Sequence, residues 1–176
     1  MESILQNCFG EYNAFIMNPP VIYILTAPIH TGKTTSLLQW SAGRNNVYGI
    51  FTPDINGKRV FMNASTREQF PMETIDDNEP VLEIGRFRFS AVSFNKAGQI
   101  LADALQQTSG YLVIDEIGPL ELRKEGLYDA VKTILQKNDR LKIILVVREK
   151  LVDEIVSFFS LKDPVVITIN SLKELG

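Results

Sequence analysis

A chain of 176 residues with 45% hydrophobic content is long enough to bury one sizeable core and too short for two full domains. Eighteen basic against twenty-one acidic residues give a net charge of −3 at pH 7, and no run of like charges stands out, so no electrostatic nucleic-acid surface is indicated. One cysteine, Cys8, and one histidine, His30, leave no disulfide framework, no cysteine-based metal site and no His-rich zinc site, a usage that suits a reducing cytosol.

Met1 to Pro20 carries Ile4, Leu5, Cys8, Phe9, Tyr12, Phe15 and Ile16 at spacings of three and four, which predicts a short amphipathic helix ended by Asn18-Pro19-Pro20. Such a helix packs on its own domain or offers a partner surface. Its start lacks basic residues, and the apolar runs of the chain are far shorter than the ~20 residues a membrane helix needs, so a cytoplasmic protein without membrane contact is expected.

The apolar, β-branched run from Val21 to Leu25 predicts a buried strand. A short loop follows, and Gly32-Lys33-Thr34-Thr35 opens a segment with helical spacing in Leu37, Leu38 and Trp40. Strand, loop and helix in this order build a phosphate site from Ala27, Pro28, Ile29, His30, Thr31, Gly32, Lys33, Thr34 and Thr35. Gly32 lets the backbone approach an anion, the free amides at the helix start point at it, and the helix dipole adds favourable potential. Lys33 reaches the β and γ phosphates as a point charge, and the Thr34 hydroxyl can ligate Mg²⁺. Each amide bond to a charged oxygen contributes roughly 1.5–3 kcal/mol, so several outweigh Lys33 alone. Against the pattern G-x-x-x-x-G-K-[ST], Ala27 stands where the first glycine belongs, which predicts a negative φ there, since a left-handed alanine costs about 1–2 kcal/mol.

Val47 to Phe51 reads as a second strand. Asn56-Gly57, between Pro53-Asp54-Ile55 and Lys58 to Met62, is a hairpin signal. Gln69 to Ile75 and Val81 to Ser90 read as extended, the latter alternating Phe87 and Phe89 with Arg86 and Arg88. Residues of about 53–90 thus form a small antiparallel insertion in an otherwise alternating chain. Ser93 to Gln107 is predicted helical, with Phe94, Ala97, Ile100, Leu101, Ala104 and Leu105 on one face. Tyr111 to Ile114 is a strand, Leu127 to Gln136 a helix, Leu141 to Val147 a strand, Lys150 to Phe159 a helix and Val165 to Ile169 a last strand. Ser171 to Glu174 reads as a capping-box start. This alternation predicts an α/β fold, a mainly parallel sheet with helices on both faces and ligands at the carboxyl ends of its strands.

Asp115 follows an apolar strand, where Mg²⁺ held by Thr34 needs a second, acidic partner. Glu116 comes next and is placed to orient or deprotonate a water attacking the γ phosphate. Arg148 ends the following strand, on the same ligand edge, either to neutralise charge on the γ phosphate or to pair with Glu149 or Glu121. Arg86 or Arg88 reaches the nucleotide if the insertion folds over the site, whereas His30 reads as a solvated loop side chain. Tyr48, Phe51, Tyr111 and Trp40 are candidates to stack on a base, or core aromatics.

The loop Thr-Gly-Lys-Thr-Thr, the segment Gly49-Ile50-Phe51-Thr52 leading into a hairpin with Gly57-Lys58-Arg59, and Leu112 to Leu122, which includes Asp115-Glu116-Ile117-Gly118, together resemble the cancer-related nucleoside-triphosphatase family of small P-loop proteins. The resemblance runs from about Val21 to the C-terminus, with Met1 to Pro20 an addition to it. It implies a P-loop NTPase three-layer sandwich and Mg²⁺-dependent hydrolysis of ATP, GTP and other nucleoside triphosphates. By motif, Lys33 and Thr34 carry over as phosphate and metal contacts, Asp115 as the metal-side acid and Glu116 as the base. The adjacent Glu also suggests a strand lying between the one that carries the loop and the one that carries Asp115. Two other readings remain open at this level: a nucleotide or nucleoside kinase whose insertion is an acceptor site or lid, and a slowly turning-over binding module switched by nucleotide occupancy. No protein partner is legible.

Overall fold

The computed structural model describes residues 21–28 and 31–176. The helix expected within Met1 to Pro20 lies outside the described residues, as do Ile29 and His30. The first apolar run forms strand β1 (Ile22–Ala27), and the glycine-lysine segment opens helix α1 (Lys33–Ser41). Strand β2 (Val47–Phe51) follows as expected.

The insertion is built from hairpins. Strands β3 (Asp54–Ile55) and β4 (Lys58–Asn63) turn at Asn56 and Gly57, both at positive φ (55° and 77°), the conformation a tight two-residue turn requires. The Gly57 amide donates to the Asp54 carboxylate at 2.7 Å, closing that turn. Strand β5 (Gln69–Pro71) pairs with β4. The stretch from Val81 to Ser90, expected extended throughout, instead doubles back as β6 (Val81–Ile84) and β7 (Phe87–Ser90), with Gly85 at φ 57° in the turn. Alternation of apolar and charged residues is the same for one long strand and for two short ones, and the glycine decides between them.

Helix α2 (Ala91–Ala104) starts two residues earlier than its apolar face suggests, because the Ser90 hydroxyl caps it by accepting from the Ser93 amide. Strand β8 (Tyr111–Ile117) runs past Ile114 and contains both Asp115 and Glu116. A short helix, α3 (Pro119–Leu122), then precedes α4 (Tyr128–Lys137), strand β9 (Lys142–Arg148), a 3₁₀ turn at Glu149–Leu151, α5 (Val152–Phe158) and β10 (Val165–Ile167). The expected capping box at Ser171 does not form; Asn170–Glu174 is a 3₁₀ turn in which the Ser171 hydroxyl lies 3.3 Å from that of Thr168.

The main sheet has the order β10-β1-β9-β8-β2-β4-β3, with β5 alongside β4. From β10 to β2 every neighbouring pair is parallel, while β4 joins β2 antiparallel. The insertion is therefore only partly separate: β3, β4 and β5 extend the central sheet, and β6 and β7 alone form a second, two-stranded sheet. Strand β9 lies between β1 and β8, the order suggested by the adjacent Glu.

Both faces of β9 and of the Tyr111 to Ile114 stretch of β8 are covered, so these central segments are apolar, whereas Val165 and Val166 of the edge strand β10 are exposed. On β9, Ile143, Leu145 and Val147 pack with Phe94, Leu101, Ile134 and Ile155 from α2, α4 and α5. Ile144 and Val146 point the other way, toward Leu37 of α1 and Leu172 of the C-terminal turn. Each such fully buried side chain contributes about 1.5–3 kcal/mol, and the two half-cores clamp the sheet as the middle layer of three. Gly49 of β2 sits where a Cβ would meet the Val113 carbonyl oxygen at 2.1 Å, so only glycine allows β2 and β8 to approach there.

Helix α3 was not legible as periodicity because it spans a single turn. It is held by Glu121, which is 3% exposed and whose two carboxylate oxygens accept separately from the Gly118 amide at 2.8 Å and the Leu127 amide at 3.0 Å. Burial pushes the Glu121 carboxyl above its ordinary value, against the pull of those two amides. The folded state therefore holds the proton more tightly than the unfolded one, and the resulting stability is complete below about pH 4.5 and lost as pH rises through the raised value. Glu121→Gln offers one acceptor oxygen where two are used and should destabilise the protein by about 1–3 kcal/mol. Thermal unfolding should show the deficit larger at pH 4.5 than at pH 8, because only the parent carries this pH dependence.

Candidate active site

The site is assembled at the carboxyl ends of β1, β9, β8 and β2. Ala27 closes β1 in extended backbone, in register with Arg148 at the end of β9. That agrees with the negative φ expected of an alanine in the first glycine position. Gly32 takes φ 81° at the N-cap of α1, a conformation that favours glycine, and its carbonyl accepts the first helical bond from the Ser36 amide at 2.8 Å. Lys33 is the first helical residue. Its ammonium folds back across the loop and donates to the carbonyls of Ala27 at 3.1 Å and Pro28 at 3.3 Å. The Thr31 hydroxyl donates to the Pro28 carbonyl at 2.7 Å, bracing the same turn.

Between Ile114 and Ile117 the pairing of β8 with β9 breaks register, and this is where Asp115 and Glu116 lie. Asp115 is 1% exposed and accepts from the Thr52 amide at 3.0 Å. Burial pushes its carboxyl up to about 6; the Thr52 amide and the Thr34 hydroxyl pull it down, Glu116 pushes it up again, and Lys33 lowers it. Glu116 is half-buried and receives the Arg148 guanidinium Nε–H in an ion pair. Arg148 thus pairs with neither Glu149 nor Glu121, the partners considered from the sequence; register alone could not place it across from Glu116.

One cleft of about 840 Å³ is lined by Thr31 to Thr35 and by Asp115, Glu116 and Arg148. Of the predicted loop, Thr31 to Thr35 therefore share a single space with Asp115, Glu116 and Arg148, whereas Ala27 and Pro28 do not line it. Arg86 of the insertion also lines it, whereas Arg88 points to an exposed ion pair with Asp77. The sequence reading missed Thr52, whose amide fixes Asp115, and Arg59, which lines the cleft beside Arg86; both guanidinium groups lie over the Phe87 ring, at 5.7 and 5.2 Å from its centre. The Asn56-Gly57 turn carried the signal for Arg59, since a two-residue hairpin sets Asp54 opposite Arg59.

The aromatic candidates for base stacking lie elsewhere. Phe51 and Tyr111 are buried in the core, and Tyr48 packs against it. Trp40 meets Tyr111 edge to face and donates to the Leu175 carbonyl, while the Tyr111 hydroxyl donates to that of Gly176, so this pair fastens the C-terminus. Leu38, Ile55, Met62 and Phe87 are the large apolar side chains among the described residues that line the cleft. Among the described residues, no helix is long and apolar enough to cross a membrane, and no group of three or more His, Cys, Asp or Glu is placed to hold a metal ion.

A strand feeding a Gly-Lys-Thr loop into a helix, with a buried acid on a strand one place removed, defines a P-loop nucleotide-binding protein of the α/β class. A family model described as NTPase matches residues 22–173, and the chain belongs to that family of small P-loop NTPases. It is accordingly a hydrolase acting on nucleoside triphosphates. Among solved structures it is similar to that of a human cancer-related nucleoside triphosphatase, with 23% identity, TM-score 0.65, and coverage of 90% of this chain and 95% of that one. It is also similar to THEP1 from the hyperthermophile Aquifex aeolicus, with 19% identity, TM-score 0.66, and coverage of 88% and 96%. At these identities the likeness shows the shared fold. No curated protein sequence matches the chain.

Proposed function

We propose that the protein is a Mg²⁺-dependent nucleoside triphosphatase that converts ATP, GTP and other nucleoside triphosphates to the diphosphate and phosphate. The observation that carries this reading is the meeting of Lys33, Thr34, Asp115, Glu116 and Arg148 on one cleft. Lys33 and the loop amides hold the triphosphate, Lys33 exchanging its carbonyl partners for phosphate oxygens. Arg148 sits beside Glu116 and can pass from that carboxylate to the γ phosphate as charge grows there. Glu116, thus released, orients the attacking water and takes its proton.

The donor set suits Mg²⁺. A hydroxyl, Thr34, and a carboxylate, Asp115, are hard oxygen ligands, and Mg²⁺ takes few protein ligands because it keeps waters and substrate phosphates. Asp115 is a buried carboxylate whose charge is held by one amide, one hydroxyl and the distant Lys33, so a further cation beside Thr34 offsets its desolvation. When bound, the ion would neutralise charge on the β and γ phosphates.

In this reading residues 21–176 work as one P-loop domain, the insertion of about 53–90 closes over the nucleotide with Arg59 and Arg86, and residues 1–20 are an extension to it. A single cysteine fits a cytoplasmic setting. Broad base tolerance fits a cleft that offers a base the apolar side chains of Leu38, Ile55, Met62 and Phe87. The test is phosphate release from ATP, GTP, CTP and UTP. Release should occur with several bases and fall to background when EDTA removes the divalent ion; release from one nucleotide alone, or undiminished in EDTA, would overturn the corresponding part.

A further inference from the structure

A second cavity, of about 50 Å³, adjoins the phosphate cleft where the insertion meets α2 and α3. Thr52, Arg59, Glu116 and Arg148 line both spaces, so the cavity adjoins the cleft at Glu116, the assigned base, and at Arg148, assigned to the γ phosphate. Its walls are apolar: Phe61, Met72, Ile84, Phe89, Phe94 and Leu120. Beyond the four shared residues, the polar side chain that lines it is Glu121, whose two oxygens are already engaged by the Gly118 and Leu127 amides. Against those apolar walls water would find few of the two to four polar partners it needs. A dry cavity about three times larger holds benzene, so this volume suits about two or three carbon atoms.

From this shape we infer that the protein has a phosphoryl-acceptor site for a hydroxyl carried on a short unbranched alkyl stem. The inference rests on the reading of Glu116 as the base. The stem fills the apolar cavity and its hydroxyl lies at the mouth, beside Glu116. A hydroxyl at that place can donate to Glu116, as the acceptor of a base-assisted transfer must. The alcohol oxygen then bonds to the γ phosphorus, the bond from that phosphorus to the β–γ bridging oxygen breaks, Glu116 takes the hydroxyl proton, and the nucleoside diphosphate leaves with the bridging oxygen. The products are an alkyl phosphate and the diphosphate, in place of inorganic phosphate and the diphosphate.

The experiment incubates the full chain with ATP and Mg²⁺ in methanol or propan-1-ol, at equal concentrations that leave thermal unfolding unchanged, and follows products by ³¹P NMR. Propyl phosphate should form beside inorganic phosphate, and the partition toward alcohol should be about tenfold greater for propan-1-ol than for methanol, from two more buried CH₂ groups. Ile84→Phe, which fills the cavity from β6, should remove propyl phosphate and keep phosphate release; should that variant not fold, the chain-length comparison on the parent decides. Inorganic phosphate alone in both alcohols, or equal partition of the two, overturns the acceptor site and leaves the hydrolase standing. Alkyl phosphate without phosphate release in plain water supports the acceptor site and overturns hydrolysis as the reaction. Turnover in neither medium overturns both.

Discussion

Replacing Lys33 with alanine is expected to abolish tight binding of nucleoside triphosphate. The lysine ammonium offers three donors, two of them engaged by the Ala27 and Pro28 carbonyls. Those carbonyls lie at or near the surface, so water replaces the lost partners at small cost and the fold should survive. Charge-assisted bonds to phosphate are each worth roughly 1.5–3 kcal/mol, and the loss of two, partly offset by water, corresponds to about a hundredfold to a thousandfold in Kd. The amides of Gly32 and α1 remain and should leave weak binding that no longer distinguishes the triphosphate strongly from the diphosphate. Calorimetric titration of the parent and variant with a slowly hydrolysed ATP analogue measures this directly. An affinity within a few-fold of the parent would mean that the loop amides alone carry the phosphates.

Glu116→Gln should do the opposite: keep triphosphate binding and lose turnover by about 10²–10⁴-fold, the usual worth of a positioned base. Glutamine keeps an oxygen that can accept from the Arg148 Nε–H, so the contact that orders both side chains persists, while the ability to take a proton is gone. The variant also removes the like charge beside Asp115, which lies one residue away and is held up in part by Glu116. Binding with Mg²⁺ should therefore be at least as tight as in the parent. Single-turnover hydrolysis of saturating ATP isolates the chemical step. If Glu116→Gln hydrolyses as fast as the parent, the base has been misassigned, and Arg148 is then the group to vary next.

Lys33 and Gly32 could be read because everything they need is local: an apolar run of β period, a glycine able to take φ 81°, and a helix beginning at the next residue. Asp115 and Glu116 could be read because an apolar strand leads straight into two acids, and no arrangement of the fold alters that adjacency. The hairpin at Asn56-Gly57 was legible for the same reason, its two left-handed residues being set by sequence. The single-turn α3 was not, since one turn gives no period to detect, and Val81 to Ser90 was misread because alternation does not count strands.

Taken alone, then, the sequence determined an alternating α/β chain, a first strand leading through Gly-Lys-Thr into a helix, and the two acids at the end of a buried strand, since each depends on residues within a turn or two of one another. Only the tertiary structure decided that β9 passes between β1 and β8, that Arg148 meets Glu116 rather than Glu149 or Glu121, and that Thr52 anchors Asp115. The same holds for Arg59 and Arg86, brought over the cleft by an insertion whose β4 joins the main sheet. Those contacts join residues 32, 63 and more positions apart, and they are selected by strand order and by which apolar faces bury each other, a competition over the whole core that no local pattern records.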